Sequence, residues 1–365
     1  GDTMQVLDSS RAEEARIRYD AFGNVAQQTG TFAPRYTFST KEYLEDRFPF
    51  LDLVLGAKSI DDFAQIAEKL LDRQATDEDL EYAVPAIDDK VTSFVTIMRG
   101  CNYACTYCIV PSVRGREIYH SIDQILGEVR DRVAEGAREI MLLGQTVNSY
   151  RSGDHRFEAL LEAVAKVEGV ARIRFMSPHP YYMSDRVVET IARIPQVCES
   201  VHLPVQSGSN TMLRQMARNY TREQYLSLAG KMRKAMPEMT ISTDIIVGFP
   251  GETESDFRET LDLIEEAQFD WGFIFKYSAR AGTPAANLKC FPEQLIEERH
   301  QRCLEVIDRI AAKKRSERVG TIHEVLVEEG NFGRSRTNYR VHITGNVAPG
   351  EQVRVRIANV QRATL

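Results

Sequence analysis

The sequence has no apolar run long enough to cross a bilayer and no N-terminal signal pattern, so a cytoplasmic protein without a membrane segment is expected. No cysteine occurs before Cys101, and three of the six cysteines crowd into one short stretch. That distribution excludes a disulfide framework and favours a reducing compartment. A surplus of basic charge is also missing: 46 Lys and Arg stand against 53 Asp and Glu, for a formal charge of −7. A globally basic nucleic-acid binder is therefore excluded, and contact with a polyanion has to use a local basic face.

What is present is concentrated in Cys101-Asn-Tyr-Ala-Cys105-Thr-Tyr-Cys108, which follows an apolar β-type segment and Arg99-Gly100. Three thiolates are one ligand short of a closed tetrahedral zinc site, and the stretch to His120 supplies no paired fourth ligand. A zinc-binding scaffold ranks last for that reason. Three thiolates on a tight loop suit an iron-sulfur cluster with one iron left open for a substrate or cofactor.

With 365 residues, 43% of them hydrophobic, the chain can bury a large core and is expected to form two or three domains. From about 91 to 316, short apolar runs alternate with amphipathic helical patterns. The candidate strands are Phe94 to Ile97, Ile140 to Leu143, Ile173 to Met176, Val201 to Leu203, Ile241 to Val247 and Phe273 to Phe275. Ser121 with Gln124 and Thr221 with Gln224 fit helix capping boxes, and Thr253 with Asp256 fits a weaker version. Strands separated by helices pair in parallel through right-handed crossovers, so six units predict an incomplete barrel or an open parallel sheet.

Each strand is followed by a polar or Gly- and Pro-rich segment: the cysteine loop, Gly144-Gln145, Ser177-Pro-His-Pro180, Pro204-Val-Gln206-Ser-Gly208, Gly248-Phe-Pro-Gly251 and Lys276-Tyr-Ser278. These six should emerge on one face and build a site there. His179 and His202 lie at strand ends, where a role at the mouth and a hydrogen-bonded place in the rim both remain open. Cys198, Cys290 and Cys303 read as packing residues.

Residues 317–365 alternate polar and apolar positions around Gly333, Gly345 and Pro349-Gly350, which predicts a small antiparallel β-barrel. Arg334, Arg336, Asn338 and Arg340 cluster with Tyr339 in one loop, an RNA contact or a solvated hairpin tip. In residues 1–90, Arg11 to Asn24 reads as a helix, Leu51 to Gly56 as a strand leading into another helix, and 72–90 as a linker.

The cysteine loop and the strand-end segments together resemble radical S-adenosylmethionine enzymes, and within them the tRNA methylthiotransferases of the MiaB family. The likeness covers 94–365 through Arg99-Gly-Cys-Asn-Tyr-Ala-Cys, Gly144-Gln-Thr-Val-Asn-Ser-Tyr150, Ser177-Pro-His-Pro180, His202-Leu-Pro-Val-Gln-Ser-Gly208, Thr243-Asp-Ile-Ile-Val-Gly-Phe-Pro-Gly-Glu252 and Gly333-Arg-Ser-Arg-Thr-Asn338. The fold this implies is α/β: a radical SAM partial (β/α)6 barrel over 91–316, an N-terminal α/β remnant domain with a linker over 1–90, and a C-terminal TRAM-like RNA-binding β-barrel over 317–365. The activity implied is methylthiolation of C2 of N(6)-isopentenyladenosine next to the tRNA anticodon, with one S-adenosylmethionine donating methyl and another starting the radical.

By the same resemblance, Cys101, Cys105 and Cys108 hold a four-iron, four-sulfur cluster, whose open iron chelates S-adenosylmethionine. Tyr107 lies against the adenine or packs the loop, and Gly144 and Gln145 receive the methionyl amine. Ser177, Gln206 and Asp244 contact ribose and carboxylate or cap neighbouring backbone. Gly248 and Gly251 let the backbone approach the adenine. Arg218 is a substrate or carboxylate clamp or a surface charge. A tRNA anticodon stem-loop and an electron donor are the implied partners of a monomer.

The family also carries an auxiliary four-iron cluster on three N-terminal cysteines. Here Asp8 or Ser9 stands in the region of the second, and neither that segment nor Phe50-Leu-Asp-Leu-Val-Leu-Gly56 has a thiol. Ser or Asp oxygen substitutes poorly for thiolate on such a cluster. The chain is then either a shortened methylthiotransferase or a variant without sulfur insertion, for instance a radical SAM or cluster-containing tRNA-binding protein.

Overall fold

The computed structural model describes residues 3–7, 13–19, 25–30, 91–361 and 364–365. The chain divides into two compact units, Gly1–Ala86 and Ile87–Leu365. In the first, Thr3–Leu7, Glu13–Tyr19 and Val25–Gly30 form a consecutive antiparallel sheet. This overturns the helix expected over 11–24. Arg16-Ile-Arg-Tyr19 alternates with period two, and a neighbouring strand on each side completes its backbone hydrogen bonds, which a lone helical turn pattern could not offset. Asp8, Ser9, Leu51 to Gly56, the helix after it and the 72–90 linker lie outside the described residues.

The second unit carries all six expected strands: β1 (Thr92–Thr96), β2 (Glu139–Leu143), β3 (Arg172–Phe175), β4 (Ser200–His202), β5 (Thr240–Val247) and β6 (Trp271–Lys276). Each is followed by a helix: α1 (Ile122–Ala134), α2 (Phe157–Ala165), α3 (Asp185–Arg193), α4 (Arg222–Ala235), α5 (Glu254–Ala267) and α6 (Glu293–Ser316). β1 to β3 pair in parallel, and so do β4 to β6. The seam between the halves is stitched by Cys198 N–H donating to Ile173 O at 3.0 Å and Ile173 N–H to Gln196 O at 2.8 Å. The strands therefore follow sequence order around an open half-barrel, and all six C-terminal ends share one rim.

Local sequence explains the helix starts. Ser121, Thr221 and Thr253 form complete capping boxes with Gln124, Gln224 and Asp256, satisfying first-turn N–H groups that would otherwise be orphaned. Alternation along the strands then sorts the faces. Val95, Ile140, Leu142, Ile173, Ile241, Ile245 and Val247 are buried in one core with the helices, while Phe94, Met176 and Phe273 stay exposed on the concave side.

After α6 come β7 (Ile322–Glu329), β8 (Phe332–Ser335), β9 (Arg340–His342) and β10 (Gln352–Arg356). They form an antiparallel sheet in the order β9-β8-β7-β10. The expected closed barrel is not formed among the described residues. β9 is three residues long and does not reach β10; a cavity of about 1230 Å³ opens between them, lined by Val341, Ile343, Val355 and Ile357.

This sheet sits under the N-terminal ends of the barrel strands. Arg172 Nη1 donates to Arg334 O at 2.6 Å and Arg174 Nη2 to Ser335 O at 2.7 Å. Thr240 Oγ1 donates to Thr337 O at 2.9 Å, and Tyr339 OH to Asp270 Oδ1 at 3.0 Å. Arg172 is fully buried, and its charge is accommodated by two carbonyls and Glu324.

Candidate active site

The cysteine loop leaves β1 and turns over the rim. Gly100 has φ +78°, and a Cβ there would lie 2.1 Å from Arg116 O, so the loop's first bend requires glycine. Gly100 N–H donates to Gln145 Oε1 at 2.6 Å, and Cys101 N–H to Gly115 O at 3.1 Å. Cys108 N–H closes a turn on Cys105 O at 3.0 Å. Between these cysteines Thr106 is clamped: its N–H reaches Met216 O at 3.2 Å and its hydroxyl Gln215 O at 2.8 Å.

Cys105 is buried, and Cys101 and Cys108 are half-buried. Burial pushes the Cys101 and Cys108 thiols up, and each feels the neighbouring cysteine sulfurs. Arg218 counters the rise at Cys108 and donates Nη1–H to Cys105 Sγ at 3.4 Å. Its Nε–H goes to Tyr220 OH at 3.0 Å, and Tyr220 OH in turn donates to Val205 O at 2.9 Å. Burial works against the Arg218 charge, but Tyr220, Tyr107 and Cys105 outweigh it and hold the guanidinium protonated.

The other predicted residues occupy the same rim. Ser177 and Gln206 have φ of 58° and 72°, left-handed backbone in non-glycine residues at the ends of β3 and β4. Such conformations concentrate at functional sites. Gly144 packs so closely that a Cβ would meet Met98 at 2.7 Å, and Gly248, at φ +72°, would meet Ile296 at 2.7 Å. Gly248 N–H donates to buried Glu252, which Arg299 of α6 grips at 2.7 Å. Asp244 projects to the concave side beside His202 Nε2 at 3.2 Å, while His202 Nδ1 meets Ser242 Oγ at 2.9 Å. Tyr107 packs against an apolar cluster containing Met212, Met216, Ile246 and Phe249. His179 stacks on Tyr103 at 4.1 Å, and burial, reinforced by Arg218, pushes its pKa down to about 2. It is a neutral part of the wall.

Arg334, Arg336, Asn338 and Arg340 are not brought to this rim. Arg336 pairs with Glu199 just before β4, Arg334 with Glu328, and Asn338 accepts from Arg334. Arg340 is exposed and lies 4.4 Å over the Phe332 ring. Sequence reasoning passed over Glu117, which takes Asn102 Nδ2–H at 2.9 Å and Ser149 Oγ–H at 3.2 Å, and Thr146, 3.7 Å from Cys101 Sγ. Their position next to the cysteine run and Gln145 was the available signal.

Residues 95–264 match the radical SAM superfamily model. The tRNA-2-methylthio-N(6)-dimethylallyladenosine synthase of Clostridium botulinum (strain Langeland) is 42% identical over 345 residues, covering 89% of this chain and 76% of its own. The enzyme of the same name from Carboxydothermus hydrogenoformans is 42% identical over 90% of this chain and 79% of its own. The chain belongs to the tRNA-2-methylthio-N(6)-dimethylallyladenosine synthase family. Coproporphyrinogen III oxidase of Escherichia coli, a radical SAM enzyme, superposes with a TM-score of 0.49 at 16% identity over 72% of this chain and 68% of its own.

As a member of this family the protein is a transferase that works with a four-iron, four-sulfur cluster and S-adenosylmethionine. The donor set fits that cluster. Three thiols on one loop, Cys105 buried and Cys101 and Cys108 half-buried, supply the one thiolate that such a cluster takes on each of three irons. A cationic partner already lies against one of the sulfurs.

Proposed function

We propose that the protein transfers a methylthio group to C2 of an N(6)-dimethylallyladenosine beside the anticodon of a tRNA. Cys101, Cys105 and Cys108 would hold the cluster, which supplies the electron that cleaves the sulfonium of S-adenosylmethionine. The observation that carries this reading is the cysteine loop on a rim shared by Gly144, Gln145, Ser177, Gln206 and Gly248. Ser177 and Gln206 hold backbone conformations suited to presenting polar groups to the sulfonium's amino-acid and ribose portions. Glu252 and Arg299 keep the Gly248 turn tight, so its backbone can lie close to a planar base. On the concave side, exposed Phe94, Met176 and Phe273 offer apolar contact to a substrate base and its hydrocarbon substituent, with Asp244 and His202 as polar partners. The C-terminal sheet, read as a TRAM-like module, would touch RNA through exposed Arg340 over Phe332. A one-electron donor completes the partners of a cytoplasmic monomer.

Anaerobic reconstitution tests this. One four-iron cluster per chain, lost in Cys105→Ala, together with methylthio product on tRNA by mass spectrometry, is the expected result. Iron that stays bound after all three cysteines are replaced would reject it.

A second reading is favoured by the absence of cysteine among residues 1–100. The chain would then cleave S-adenosylmethionine and bind tRNA without inserting sulfur. Release of 5′-deoxyadenosine with no methylthio product would select that reading.

A further inference from the structure

Arg218 is carried to the cysteine loop by a turn built for that purpose. The helix Asn210–Gln215 ends at Met216, and Ala217 then takes φ +56°, a left-handed conformation that a non-glycine residue adopts only at a cost. Arg218 N–H returns to Leu213 O at 2.8 Å, and the carbonyls of Gln215 and Met216 are the ones that clamp Thr106 between Cys105 and Cys108. The turn and the cysteine loop therefore move as one body, with the guanidinium on the Cys105 sulfur.

The hydrogen-bond inventory of Arg218 shows which of its donors the fold already engages. A carboxylate is gripped two-handed either through Nε and Nη2 or through Nη1 and Nη2. Tyr220 OH takes the Nε hydrogen and Cys105 Sγ one of the two on Nη1, so the Nε–Nη2 grip is closed while Nη1 keeps a second hydrogen and Nη2 both of its own. What the geometry does provide is a fixed positive charge touching a cluster ligand in a buried setting, where charge acts with little screening.

We infer that Arg218 is the counter-charge of the cluster at Cys105 and raises its midpoint potential. The inference rests on the proposed ligation by the three cysteines. Reduction adds one electron to the oxidised cluster from an external one-electron donor and makes the cluster one unit more negative. A cation against its sulfur ligand stabilises that state more than the oxidised one, as do hydrogen bonds to sulfur generally. Arg218 is a positioning residue by this account, and Tyr220 holds it in place.

The test is a potentiometric titration, with dithionite as reductant, of the anaerobically reconstituted full chain, followed by the spectrum of the reduced cluster. Arg218→Met should lower the ratio of reduced to oxidised cluster at a fixed potential at least tenfold, equal to about 59 mV for a one-electron couple. Arg218→Lys should shift less, and Tyr220→Phe should shift in the same direction. S-adenosylmethionine affinity of Arg218→Lys should stay within a few-fold of the parent. An unchanged potential in Arg218→Met with intact iron content overturns the inference, and so does a tenfold loss of cofactor affinity without a potential shift. If Arg218→Met does not hold iron, Arg218→Lys and Tyr220→Phe decide by the same two readouts. Failure of the parent chain to bind a cluster through its cysteines is a separate result, which removes the proposed function instead.

Discussion

Arg336 grips Glu199 through two hydrogen bonds of 2.8 Å, Nε to Oε2 and Nη2 to Oε1, and the same Nη2 also reaches Val197 O at 2.8 Å. Glu199 immediately precedes β4, so this contact lies at the end of the barrel opposite the cysteine loop. A residue that reads as an RNA contact in sequence is, in the fold, a bolt between the C-terminal sheet and the barrel floor.

Arg336→Ala should therefore lower the unfolding free energy by about 2 kcal/mol, the scale of lost charged hydrogen bonds around a partly buried partner. Glu199→Ala should cost a similar amount, and the double variant less than the sum. Urea denaturation measures this. Arg340→Ala should leave stability nearly unchanged and reduce the salt dependence of tRNA binding. A larger loss of affinity in Arg336→Ala than in Arg340→Ala, at equal folded fraction, would reverse the assignment.

Gly100→Ala should abolish cluster binding while the barrel remains folded. Its Cβ would meet Arg116 O at 2.1 Å, at a φ of +78° that alanine avoids, so the cysteine loop has to leave its seat on Gln145. Iron content and far-ultraviolet circular dichroism, compared in the same preparation, check the two halves of this expectation.

His179 makes acid stability pH-dependent. Its pKa is pushed from 6.5 down to about 2, first by burial and then by Arg218. The folded value lies below the unfolded one, so this contribution is present above pH 6.5 and falls away as pH drops toward 2. Between 6.5 and about pH 5, where most carboxylates are still ionised, the slope should approach about 1 kcal/mol per pH unit. His179→Phe keeps a ring on Tyr103 and removes the titration. Denaturation midpoints across that window should flatten in the variant, and an unchanged slope would refute the assignment.

Arg299→Ala strands Glu252, whose carboxyl burial already pushes up. Breaking one side of a buried pair costs about 3–5 kcal/mol. The variant should lose that stability and, because Glu252 also holds Gly248 N–H, bind S-adenosylmethionine more weakly. Equilibrium denaturation and calorimetry of cofactor binding provide the two readings.

Periodicity and local chemistry determined the six strands, their helices and the three capping boxes, because those depend on residues within a few positions of one another. The Cys-x3-Cys-x2-Cys spacing likewise announced a cluster loop, whereas the close packing of Gly100, Gly144 and Gly248 against Arg116, Met98 and Ile296 came from the fold. Tertiary structure alone decided three further things. A strand replaced the helix expected over 11–24, because flanking strands completed its ladder. Arg336 faced the barrel floor, because Glu199, Ser335 O and Arg174 meet there across more than a hundred residues. Arg218 reached Cys105 through a left-handed Ala217, a backbone choice that no neighbouring side chain encodes. Long-range charge pairing and backbone strain are paid for by the whole fold, so they become visible when the chain is closed upon itself.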